Sequence, residues 1–267
     1  AEEGAGGAKR MMDEGLFEQC PMEAVFGMHN WPGAPAGTMG VINGPMMASS
    51  NEFELNIQGK GSHAAQPHLS TDPVMVAVQI AQSWQTIISR NKNPLDAGVL
   101  SITQIHSGSA TNIIPDSAKM IGTVRTFTME ALDLIESRMA EIASHTAAAF
   151  GASVEFSFRR NYPPLINHEP ETTFAAEIMS EVVGKDGVLK KLEPTMGSED
   201  FAFMLLEKPG CYVFIGNGDG AHRVAGHGLG PCNLHNPSYD FNDELLPIGA
   251  SYWVRLAEQF LARPSLR

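Results

Sequence analysis

The sequence predicts an α/β protein in which one discontinuous domain is interrupted by an inserted β-α-β-β-α-β unit. Three observations carry this. Between Ser50 and Arg159, two stripes of helical spacing alternate with four strand-like runs in that order. Such a unit sends both chain ends away on the same side, as an insert requires. Apolar strand and helix patterns then continue on both sides of it. The expected boundaries are 1–48 and 162–267 for the host domain and 49–161 for the insert.

The elements follow in order. Ala8 to Leu16 reads as a helix closed by Gly15. Ala24-Val25-Phe26-Gly27-Met28 is a short apolar run that reads as a buried strand with His29 at its tip, followed by Asn30-Trp31-Pro32. Asn43-Gly44-Pro45 is a turn and a candidate hinge. Phe53, Leu55 and Ile57 alternate with Glu52, Glu54 and Asn56 as a half-buried strand. Ala77, Ile80, Ala81, Trp84 and Ile88 recur at helical spacing. Val99 to Ile105 and Met120 to Phe127 are the second and third strands of the insert. Leu132, Ile135, Met139, Ile142 and Phe150 form a helical stripe that Gly151 stops. Val154, Phe156 and Phe158 alternate as the fourth strand, and Pro163-Pro164 ends the unit. The order is that of a ferredoxin-like unit, with its first and last strands expected to be central and adjacent. The host domain resumes with a helix at Glu171 to Val183 and a strand at Tyr212 to Gly216. A last helix places Trp253, Leu256, Ala257, Phe260 and Leu261 on one face.

Composition narrows the function. The chain has 267 residues, 43% hydrophobic and 18% charged, as in a soluble globular protein with a sizeable core. Eighteen basic against 30 acidic residues leave a net charge of -12, which argues against nucleic acid or an anionic membrane as partner. No run approaches the roughly 18 apolar residues of a membrane span. Cys20, Cys211 and Cys232 are odd in number and widely spaced, so they form no disulfide framework and fit a reducing, cytoplasmic compartment. The chain opens Ala1-Glu2-Glu3-Gly4 without Met or leader, which suggests a larger protein whose upstream part is absent and leaves targeting unread.

Several residues could carry chemistry. Glu2 and Glu3 point in different directions, so one carboxylate could bind a cation while the other stays free as a base. A metal ion acidifies bound water and polarises a carbonyl, and a free glutamate moves the proton. The competing reading is a solvated acidic start to a helix. His29 on its strand and His235 on the turn Leu234-His235-Asn236-Pro237 would complete a set of one carboxylate and two histidines, with a position open for water. Either could instead be a hydrogen-bonded structural histidine. Tyr239 and Phe241 after that turn are expected to be buried. Cys232 reads as an incidental thiol. His63 lies on the glycine turn Gly59-Lys60-Gly61-Ser62-His63. Asn112 and Arg125 together suit a substrate carboxylate, or else are a turn residue and a solvent-facing strand residue. Ser107-Gly108-Ser109-Ala110-Thr111 lacks the Gly-Lys-Ser/Thr ending of a phosphate loop. In Met196-Gly197-Ser198-Glu199-Asp200-Phe201, Ser198 reads as a helix N-cap.

Six ordered motifs form a familiar whole: Glu2-Glu3-Gly4, Gly27-Met28-His29-Asn30, Gly59 to His68, Ala110-Thr111-Asn112-Ile113-Ile114-Pro115, Gly197-Ser198-Glu199-Asp200-Phe201 and Leu234 to Asp243. Together they cover essentially the whole chain and resemble the co-catalytic metallopeptidases that include aminoacylases, hippurate hydrolases, auxin-conjugate amidohydrolases and carboxypeptidase G. The likeness is strongest to the hippurate hydrolase and N-acyl-amino-acid amidohydrolase branch. The resemblance implies a metallopeptidase-type catalytic domain with an inserted lid that also dimerises. Glu2 would be the general base, and Glu3, His29 and His235 metal ligands. His63 would reach toward a partner protomer's site to steady the oxyanion. Asn112 and Arg125 would grip the substrate carboxylate, and Gly197 would line the pocket.

Two departures matter. Ser62 stands where relatives often have glycine, and the family's N-terminal segment, with its His and Cys or Asp ligands, is absent. Glu3, His29 and His235 would hold one ion at most, although a complete site takes two (Zn, Mn, Co or Ni). The expected activity is metal-dependent hydrolysis of small N-acyl amino acids by a homodimer, with this chain alone impaired. The alternatives are a dipeptidase or carboxypeptidase of the same family, or a non-catalytic binding relative.

Overall fold

A computed structural model describes residues 2, 4, 6–189, 191–223 and 232–263. In chain order its elements are α1 (Gly7–Asp13), α2 (Leu16–Gln19), β1 (Val25–Pro32), β2 (Met39–Gly40), β3 (Gly44–Met47), β4 (Ser50–Gln58), β5 (Ser62–His63), α3 (Pro73–Thr86), β6 (Gly98–Ser107), β7 (Ile113–Ile114), β8 (Ser117–Thr126), α4 (Met129–Ala149), β9 (Ser153–Tyr162), β10 (Leu165–Asn167), α5 (Glu169–Val183), α6 (Ala202–Glu207), β11 (Gly210–Gly218) and α7 (Leu246–Ala262). The fold is mixed α/β, and no described helix is long and apolar enough to cross a membrane.

The chain divides into two compact units. The first comprises Ala1–Arg10, Met47–Leu165 and Thr195–Phe203. Its centre is a four-stranded sheet in the order β6-β8-β4-β9, antiparallel throughout. Strict alternation in β4 turns Phe53, Leu55 and Ile57 inward, where Trp84 of α3 and Leu132 and Met139 of α4 cover them. Trp84 is wholly buried, and its indole N–H donates to the Met139 carbonyl at 3.0 Å, so its one polar group is satisfied. Both helices start on a side-chain cap: Asp72 accepts from Val74 N–H ahead of Pro73, and Thr128 accepts from Ala131 N–H. The opposite face of the sheet carries charge, with Glu52, Glu54, Lys119, Arg125 and Arg159.

The first strand of this unit, β4, is central, but the last, β9, lies at the edge, contrary to expectation. β8 pairs antiparallel with β6 and then occupies the second side of β4, which leaves β9 only the other flank.

Residues 1–10 and 195–203 belong to this unit through specific bonds. Ala8 N–H donates to the Asp200 carboxylate at 2.7 Å, Tyr162 packs edge-on against Phe203, and the Tyr162 hydroxyl donates to the Glu2 carbonyl. α1 ends at Asp13, short of the expected Leu16, because Gly15 turns left-handed at φ 91°. Ser198 is not a helix cap: α6 starts at Ala202, and the Glu199 carboxylate accepts from Phe201 N–H instead.

The second unit comprises Met11–Met46, Ile166–Pro194 and Met204–Arg267. β11 is buried along its whole length between parallel β1 and antiparallel β2, as expected of a continuous apolar central strand. Phe174 and Ile178 of α5 and Tyr252 and Leu256 of α7 pack on Val213 and Ile215. The buried stripe of α7 runs through Tyr252, Leu256 and Phe260 at a spacing of four. The expected face is only half right, since Trp253 is 38% and Leu261 81% exposed. Core contact selects the narrower of two neighbouring apolar ridges.

Candidate metal centre and substrate site

In the second unit, His29 is the fifth residue of β1, so it lies within the strand rather than at its tip. Its cross-strand partner is Phe214, and its ring stands edge-on to Phe214 and Trp31 at 6.4 and 6.2 Å. The imidazole Nδ1 lies 2.6 Å from the Asn30 carbonyl. A carbonyl can only accept, so Nδ1 is the donor here, and in the neutral tautomer that fits this bond Nε2 keeps its lone pair. That tautomer is the one a metal ligand needs, and a backbone carbonyl on the far nitrogen is a usual way of fixing it.

His235 has φ 66° and is the only non-glycine with positive φ among the described residues. A β-carbon makes this conformation costly, on the order of 1 kcal/mol or more, so the surroundings must impose it. They do so from several sides. Asn236 takes Ser238 N–H on its side chain and Tyr239 N–H on its carbonyl, both at 2.9 Å. The Asn30 amide donates to the Tyr239 hydroxyl, which ties the histidine turn to the strand that carries His29. Burial raises the Tyr239 pKa, and the bond from Asn30 opposes that shift. Downstream, Asn217 donates to the Asp240 carbonyl at 3.0 Å, the His222 ring meets the same carbonyl at 2.9 Å, and Asn217 accepts from Asn242 N–H at 2.9 Å.

The second unit therefore brings the two histidine segments together. A cavity of about 570 Å³ opens beside His29 and is lined by Met28, Ile215, Leu245 and Trp253. It is also lined by Phe241, which is 37% exposed, not buried as expected.

The fit to a metal ion is partial. Imidazole nitrogens are suitable donors to a divalent cation. Glu3 lies outside the described residues, and among those described no group of three or more His, Cys, Asp or Glu is placed to hold a metal.

The first unit sorts the other candidates into two groups. At one end, Ala48 N–H is shared by the Gly197 and Thr195 carbonyls at 2.9 and 3.0 Å, and Ser49 N–H donates to the Thr126 carbonyl at 2.7 Å. This sets Gly197 near the strand end that bears Arg125. Tyr162, which holds Glu2 by its carbonyl, pairs with Ser50 at the same end of β4. Arg125 is half-buried, and loss of solvent lowers its pKa against the opposing charge of Glu52.

At the other end, β5 and β7 zip two loops together, with His63 opposite Ile113 and Ala64 N–H donating to the Asn112 carbonyl at 2.9 Å. Asp116 fixes the base of that pair by accepting from Gly61 N–H at 2.7 Å. The His63 Nδ1 accepts from Ala65 N–H at 3.1 Å, so the neutral ring presents Nε2–H as a donor. His29 and His63 thus hold opposite tautomers, one offering a lone pair and one a proton.

Asn112 and Arg125 do not meet. β8 runs from Ser117 to Thr126 between them, roughly 26 Å from Ser117 to Arg125 at about 3.3 Å per residue. The joint grip expected of these two residues is not available within one copy of the chain, because pairing registers place them at opposite ends of the sheet.

Sequence reasoning passed over Asn217, His222 and the partnership of Asn30 with Tyr239. The only signal was the run of side-chain amides and aromatics around the two histidines, and nothing in it specifies a contact between positions 209 apart.

The fold is that of a mixed α/β protein in which two histidine-bearing segments are tied together. The family follows from comparison: residues 1–259 match the model of peptidase family M20/M25/M40, and the chain belongs to that family. It is 38% identical to the N-acetylcysteine deacetylase of Bacillus subtilis (strain 168) over 96% of this chain and 63% of that protein. It is 35% identical to the hippurate hydrolase of Campylobacter jejuni over 98% of this chain and 65% of that protein. Among solved structures, a Bacillus subtilis dinuclear metal-binding peptidase of the M20 family superposes with a TM-score of 0.79 at 32% identity, covering 98% of this chain and 63% of that one. The chain thus spans just under two thirds of the length of these relatives.

Proposed function

We propose that this chain is part of a metal-dependent amidohydrolase that cleaves N-acyl amino acids into a carboxylic acid and a free amino acid. The observation that carries the reading is the tie between Asn30 and Tyr239, which draws together a strand histidine with a free Nε2 and a histidine on a strained turn. Relatives bearing the names N-acetylcysteine deacetylase and hippurate hydrolase support the substrate class.

In this reading His29, His235 and Glu3 hold a divalent ion, zinc, manganese, cobalt or nickel, and a segment beyond this chain supplies the ligands for a second. An ion held there would supply polarisation of the scissile carbonyl and acidification of water. Glu2 takes a proton from the attacking water and returns it to the leaving nitrogen. Arg125 receives the substrate carboxylate, and Gly197 leaves room beside it.

Residues 49–161 act as a lid inserted into a catalytic domain built from 1–48 and 162–267. The protein works as a homodimer through that lid. His63 and Asn112 then serve the partner's site, where Nε2–H of His63 donates to the oxyanion. The separation of Asn112 from Arg125 along β8 supports this division of labour.

The test is hydrolysis by the full-length protein of a hippurate-like substrate and of an unblocked dipeptide, each with and without chelator. Chelator-sensitive cleavage of the acylated substrate alone is expected. Preference for the free amine would make the protein a dipeptidase, and no cleavage of either would make it a binding relative.

A further inference from the structure

On the charged face of the four-stranded sheet, three charged residues from three adjacent strands are close neighbours. Glu52 of β4 is directly opposite Arg159 of β9, and its carboxylate meets that guanidinium at 2.5 Å. On its other side Glu52 is opposite Thr123 of β8, which makes Arg125 its diagonal neighbour, roughly 7–8 Å away between backbones. Arg125 is half-buried and makes no direct ion pair among the described residues, while Glu52 is its one charged neighbour of note.

We propose that Glu52 is a specificity-setting residue that tunes the pull of Arg125 on a substrate carboxylate, and that Arg159 governs how strongly it does so. This rests on the reading of Arg125 given above. A carboxylate beside Arg125 competes with an incoming anion for the same guanidinium. As placed, Glu52 is turned to Arg159, which neutralises it and leaves the charge of Arg125 available. Without Arg159, Glu52 swings to the diagonal position and covers Arg125. Without Glu52, the field at Arg125 rises and Arg159 loses its effect. All three side chains are exposed or half-buried, so the interaction is screened and its scale is that of a surface pair.

The experiment measures KM and kcat of the full-length protein for an N-acyl amino acid and for its C-terminal amide, with the variants R125Q, E52Q, R159Q and E52Q/R159Q. For the acid, E52Q lowers KM and R159Q raises it, each by about two- to fivefold, the range of a surface ion pair. The double variant matches E52Q. kcat and the KM for the amide stay unchanged, which a merely structural role would not produce. If R125Q raises the KM for the acid more than for the amide but E52Q and R159Q move neither, the inference fails and the role of Arg125 stands. If R125Q leaves the acid-to-amide ratio unchanged, both fail.

Discussion

The side-chain amide of Asn30 donates to the hydroxyl of Tyr239, joining a residue next to His29 on β1 to the turn four residues beyond His235. The bond ties the strand that carries His29 to the turn that carries His235. Removing it loosens the pair while both donors remain. Tyr239→Phe in the full-length protein should weaken metal affinity about tenfold, the lower range for a residue supporting a ligand. Competition with a chromogenic chelator reads this directly, and an unchanged affinity would mean that the bond does not support the metal site.

The placement of Arg125 near the end of β8 and of Asn112 on the loop beyond its start predicts sharing between copies. Glu2→Gln and His63→Ala should each be inactive as homodimers. Mixed and re-equilibrated, heterodimers gain one site with both native groups, and activity should return toward one quarter of the wild-type value. Recovery that never appears in verified heterodimers would place His63 in its own copy's site.

How much of this was legible in the sequence depends on the range of the interaction. Alternation in Phe53, Leu55 and Ile57 gave β4, and the caps at Asp72 and Thr128 follow from local chemistry. The failures were nonlocal. The edge position of β9 depends on which flank of β4 is already taken. The buried ridge of α7 depends on what packs against it, and helical spacing alone allowed both Tyr252-Leu256-Phe260 and Trp253-Ala257-Leu261. The grouping of His63 with Asn112 and of Arg125 with Gly197 requires the register of the whole sheet.

Close packing makes Gly122 a sensitive position. A β-carbon there would meet the Ser101 carbonyl at 2.1 Å and the Phe53 ring at 2.4 Å. Gly122→Ala should destabilise by about 1–3 kcal/mol or more, as overpacking does. Urea unfolding measures this, and a loss below about 0.5 kcal/mol would show that β6 and β8 can separate without strain.

Burial raises the Cys211 thiol to about 12 and also raises the Tyr252 phenol. Both groups stay neutral in the folded state over a pH range in which the unfolded chain ionises them, the thiol near 9.0 and the phenol near 10.0. Stability is therefore fully present below about pH 9 and falls as pH rises toward 12, by at most about 1.4 kcal/mol per pH unit for each group. Urea midpoints at pH 8 and 10.5 should differ in that direction. Native protein at pH 8 should also label with iodoacetamide at exposed Cys20 and not at Cys211. Rapid native labelling of Cys211 would contradict this burial.

The central claim is that Glu2 moves the proton while other residues hold the metal. It is tested most directly by Glu2→Gln in the full-length protein, with turnover and bound metal measured on the same sample. The expected result is a fall in kcat of about 10²–10⁴ with metal content unchanged. Near wild-type kcat would contradict the assignment of the base, and loss of the metal would make Glu2 a ligand instead.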